Sequence, residues 1–172
     1  MHDAGLCTFK RDSDNVPYIE IAIREDSLNE DVVSHELLHA FYIKKGFGRS
    51  SYNTINNIPF REISVLLNSI IEHKQIYEIQ KSMGIDISQA QKHKANTIFK
   101  NIEKEPSIIT YDIVVNSLLI LECIIGAKEY TELYDERLKT NFKNTYELAK
   151  RLEMELFTED IDNAEIFRKK FI

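Results

Sequence analysis

The chain has 172 residues, 43% of them hydrophobic and 29% charged, with only five glycines and three prolines. It can therefore bury a core, and it is neither linker-rich nor a disordered tract. A formal net charge of -6 speaks against a nucleic-acid binder whose affinity comes from neutralising phosphates. Cys7 and Cys123 are too few for a disulfide scaffold and form no Cys-x-x-Cys knuckle, which fits reduced thiols in a cytoplasmic protein.

The first residues carry charges where an export signal needs an apolar stretch. Two short runs, 6–9 and 18–23, are rich in β-branched and aromatic residues and flank the turn-forming Asp12-Ser13-Asp14-Asn15. In the second, Ile19, Ile21 and Ile23 alternate with Tyr18, Glu20 and Ala22, the period of a half-buried strand. A β-hairpin is predicted. Ser27-Leu28-Asn29-Glu30 fits a capping box, and Leu28, Val32, Val33, Leu37, Ala40 and Phe41 recur at helical spacing over 28–45, with Gly46 and Gly48 as the stop. A glycine-, serine- and asparagine-rich loop is expected over 46–59. Helices follow at about 60–83, 88–104, 108–126, 128–139, 142–157 and 161–170. The apolar stretch 108–126 contains Asp112, Asn116, Ser117 and Glu122, so it reads as a buried core helix and not as a membrane span. The fold class is thus α+β and predominantly helical, in a single domain over 1–172. Residues 1–84 hold the hairpin and the chemically loaded helices, and 85–172 form a helical C-terminal part.

The sharpest motif is His35-Glu36-Leu37-Leu38-His39. Two histidines four residues apart share one helix face, about 6 Å from each other, so their ring nitrogens can converge on one cation such as zinc. Glu36 is turned about 100° from His35. From there it can reach a water beside the ion and serve as general base.

On this motif and the strand that precedes it, the chain resembles the zincin metallopeptidases. Glycine and histidine at positions 42 and 45 would mark the metzincin branch; Tyr42 and Lys45 stand there and exclude it. The resemblance is to the gluzincin branch and to the minimal HExxH proteins of bacteria and phages, and it covers about residues 16–83. It implies zinc as cofactor, peptide hydrolysis as activity, a peptide or protein as substrate, and strand 18–24 as the edge that receives an extended peptide. It also implies a third ligand from a later helix, where Glu72 is the glutamate in the corresponding place and Asn68 a partner one turn earlier.

Helical geometry offers a second candidate. His73 lies nearer than Glu72 to the apolar arc of Ile63, Leu66, Leu67, Ile70 and Tyr77, while Val65, Ile76 and Ile79 surround Glu72. The choice between Glu72 and His73 stays open at this point. Tyr42, Tyr77, Tyr111 or the non-ligating member of that pair could stabilise an oxyanion. Glu122, inside an apolar run, is expected to pair with a lysine or arginine; His93 is expected to be exposed and His2 to lie in a loose terminus. The interspersed charges over 128–170 describe a solvated face, with Glu147 four residues before Arg151, that could also receive a protein partner. A non-catalytic alternative is a helical binding or regulatory module with a structural or vestigial zinc site.

Overall fold

The computed structural model of the chain describes residues 4–45, 58–102 and 110–157. A two-stranded antiparallel sheet comes first, β1 (Gly5–Arg11) and β2 (Pro17–Ile23), followed by helices. In register, Gly5 faces Ile23, Cys7 faces Ile21 and Phe9 faces Ile19. The turn closes because the Asp12 carboxylate accepts from the amides of Asp14 and Val16 at 2.9 and 2.8 Å. Asn15 takes the left-handed backbone there, at φ 63°, a conformation that asparagine tolerates better than most side chains. The alternation read from the sequence holds: Ile19, Ile21 and Ile23 are half-buried and the residues between them are exposed.

By contact the chain divides into two compact units, one of residues 1–49 and 74–87 and the other of 50–73 and 88–172. In the first, helix α1 (Glu30–Lys44) packs on the sheet. Its cap differs from the expected box. Ser27 sits in a short 3-10 turn (Glu25–Ser27) and bonds Asp26, while the Asn29 side chain accepts from the Val32 amide at 2.9 Å. Asparagine, two residues nearer the helix, takes the position, and Glu30 becomes the first helical residue, too early to reach back as a box requires. Helix α2 (Ile58–Ser82) is continuous. It begins two residues before the expected start, with Pro59 in the first turn, where a missing amide hydrogen costs nothing. Near its C-terminal end, the buried Gln80 amide donates to the Asp31 carbonyl at 2.9 Å and to Ser34 Oγ at 2.8 Å, tying this part of α2 to α1.

The second unit holds the main hydrophobic core. Ile70 and Ile71 of α2 meet Ala95, Ile98 and Phe99 of α3 (Ser88–Asn101) and Leu118, Ile120, Leu121 and Ile124 of α4 (Thr110–Gly126). Helix α4 is thus the buried core helix its composition suggested. Among the described residues, no helix is long and apolar enough to cross a membrane. The single helix expected over 128–139 is two: α5 (Lys128–Glu132) and α6 (Asp135–Asn141). The amides of Leu133 and Tyr134 bond the carbonyls three residues back, which tightens the chain and ends α5. Tyr134 stacks on Phe99 there, with ring centroids 4.7 Å apart. Helix α7 (Lys143–Phe157) turns Thr145, Ala149 and Leu156 inward, and Arg151 pairs with Glu155, not with Glu147. The glycine stop at Gly46 and Gly48, most of the 46–59 loop, the helix at 161–170 and His2 lie outside the described residues.

Candidate metal centre

Helix α1 brings His35 and His39 together by its period alone. Their Nε2 atoms are 3.1 Å apart, with ring centroids at 4.7 Å and planes 80° apart. Two nitrogens bound tetrahedrally at 2.0–2.1 Å lie about 3.3 Å from each other, so the observed spacing is close to what one small cation demands. His39 is buried and His35 half-buried. The Tyr77 ring lies against His35, centroids 5.9 Å apart.

The third imidazole is His73 of α2. His35, His39 and His73 each offer one ring nitrogen, and these atoms all lie within 4.8 Å of one another; the three residues could hold a metal ion. Three neutral imidazoles are a donor set suited to zinc and its first-row neighbours. Glu72, adjacent and also buried, is not part of this group. Glu72 stands about 100° around the helix from His73, as Glu36 does from His35.

His73 is anchored from behind. Its Nδ1 is 2.6 Å from Glu122 Oε1 and 3.2 Å from Ser69 Oγ. The same Glu122 oxygen accepts from Lys94 Nζ at 2.7 Å. Burial by itself would raise the Glu122 carboxyl, but the facing His73 and Lys94 outweigh it and hold the group well below the usual carboxylate range. An ionised carboxylate only accepts, so His73 Nδ1 is the donor of this bond and Nε2 is the nitrogen left for a cation. Burial, aided by the Glu122 charge, also pushes the Cys123 thiol up to about 12, which makes it inert at neutral pH.

Glu36 is buried, with its side chain against the first residue of β1. A methyl group added at Gly5 would lie 2.6 Å from Glu36 Cγ and 2.7 Å from Oε1. Glycine is therefore required at this position for the carboxylate to rest where it does. Of the other candidates, Tyr42 is buried against Phe41, the Tyr111 hydroxyl donates to Glu62, and His93 is exposed as expected. Glu122 pairs with a lysine, as anticipated, and with His73 in addition.

Ser69, Lys94 and Gly5 were not foreseen. Ser69 had a signal, standing one helical turn before His73. Lys94 and Gly5 had none, because their partners are distant in sequence. Comparisons with family models, with curated proteins and with solved structures find no match to this chain.

Proposed function

We propose that the chain is a zinc-dependent metallopeptidase of gluzincin-like design in which a histidine replaces the usual third-ligand glutamate. His35, His39 and His73 would hold the metal. Zinc held by three protein ligands supplies a Lewis acid and lowers the pKa of a bound water to about 7. Glu36 takes up a proton from the attacking water and returns it to the leaving amine nitrogen, acting first as base and then as acid. Its burial against Gly5 keeps the carboxylate from wandering into solvent. The sheet has two strands among the described residues, so each keeps one edge, and an extended peptide can add to such an edge through main-chain hydrogen bonds. The buried thiols suit a reducing compartment such as the cytoplasm.

The observation that carries this reading is the convergence of three ring nitrogens within 4.8 Å beside a helix whose next residue is a buried glutamate. The test is Glu36→Gln in zinc-loaded protein, assayed on a quenched-fluorescent peptide library. Zinc content should be retained while hydrolysis falls at least about 100-fold, the usual contribution of a general base. Equal hydrolysis by the variant, or none by the zinc-loaded wild type, would contradict the proposal.

A further inference from the structure

Resting on the reading of His35, His39 and His73 as a zinc site, we infer that Glu122 and Lys94 form a positioning relay for it. Glu122 fixes the ring and tautomer of His73, and Lys94 fixes Glu122. Two observations support this. The Glu122 oxygen that meets His73 Nδ1 at 2.6 Å is the same one that Lys94 meets at 2.7 Å. Glu122 stands about one turn before the C-terminal end of the core helix, is itself buried, and lies between Leu121 and Cys123, both buried. Its carboxylate is therefore held in an apolar setting, where removing an ion from water is costly. A core helix with only a packing task would be served as well or better by an apolar residue of similar volume.

What the carboxylate adds is direction. An imidazole can turn over about its χ2 bond and exchange each nitrogen with a ring carbon. A short bond from Nδ1–H to Glu122 blocks that exchange and presents Nε2, with its lone pair, as the donor. Hydrogen-bond partners of this kind behind a ligating histidine typically contribute 10–100-fold in metal affinity. Lys94, part-buried on α3, gives the same carboxylate oxygen a second donor and so restrains it. Both are positioning residues, since neither is among the three ligand atoms that converge.

The experiment compares wild type, Glu122→Met and Glu122→Gln by zinc titration against a chromophoric chelator and by the visible spectrum of the cobalt(II)-loaded chain. Methionine fills the volume and removes the acceptor; glutamine keeps an acceptor oxygen. We expect Glu122→Met to bind zinc about 10–100-fold more weakly, with an altered cobalt spectrum and unchanged helical circular dichroism. Glu122→Gln should recover most of the affinity. Wild-type affinity and spectrum in Glu122→Met would overturn the relay while leaving the zinc site standing. Failure of the wild type to take up either metal would overturn both. Should the methionine variant not fold, nitrogen NMR of metal-free wild type in mildly alkaline buffer reads the tautomer directly. Protonated Nδ1 on His73 is the expected result, and protonated Nε2 with bare Nδ1 contradicts the relay.

Discussion

His35 and His39 meet because they stand one turn apart on α1, whereas His73 is held by a glutamate 49 residues further along the chain and, through it, by a lysine on another helix. The first arrangement exists as soon as the helix forms. The second exists only when α2, α3 and α4 have packed and buried Glu122. Two of the three imidazoles that could hold a metal are thus brought together by local geometry, while the ring of the third is anchored by tertiary packing.

That contrast can be sharpened on the α1 side, where one feature is not local. Gly5 of β1 lies against Glu36, so Gly5→Ala puts a methyl group within 2.6–2.8 Å of the Glu36 side chain. We expect the carboxylate to shift, and activity to fall about 100-fold, as displacements near 1 Å commonly cost. Zinc affinity should be close to wild type, because both histidines sit on the untouched helix. A loss of zinc affinity equal to the loss of activity would show that α1 as a whole depends on the sheet.

A smaller effect is expected where α1 is started. Asn29→Ala removes the side chain that accepts from the Val32 amide and should cost about 1 kcal/mol of stability. Denaturant unfolding reads this as a lower midpoint at unchanged slope. No change would mean that tertiary packing, and not the cap, holds the start of the helix, which would blur the distinction between the two ends of the site.

The same distinction explains what the sequence made legible. The hairpin was readable from its period of two and its turn residues, and α1 from its apolar spacing, since both signals lie within a dozen residues. The His35–His39 pair followed from the helix period. The sequence points to Ser27 where Asn29 is the cap, because serine and asparagine both serve there and only the backbone decides between them. The break between Glu132 and Asp135 was hidden because a two-residue tightening leaves helical periodicity nearly intact. The choice between Glu72 and His73 could not be made from α2, both of whose sides carry apolar residues. Glu122 gave a partial clue: a carboxylate in an apolar run must have a partner, but nothing in the run names His73 or Lys94.

Zinc titration of the wild-type chain beside His73→Ala and Glu72→Gln tests the heart of this account most directly. Stoichiometric binding is predicted for the wild type and for Glu72→Gln. His73→Ala should lose more than the 10–100-fold that a partner behind a ligand typically contributes. Wild-type affinity in His73→Ala, or collapse of binding in Glu72→Gln alone, would contradict it.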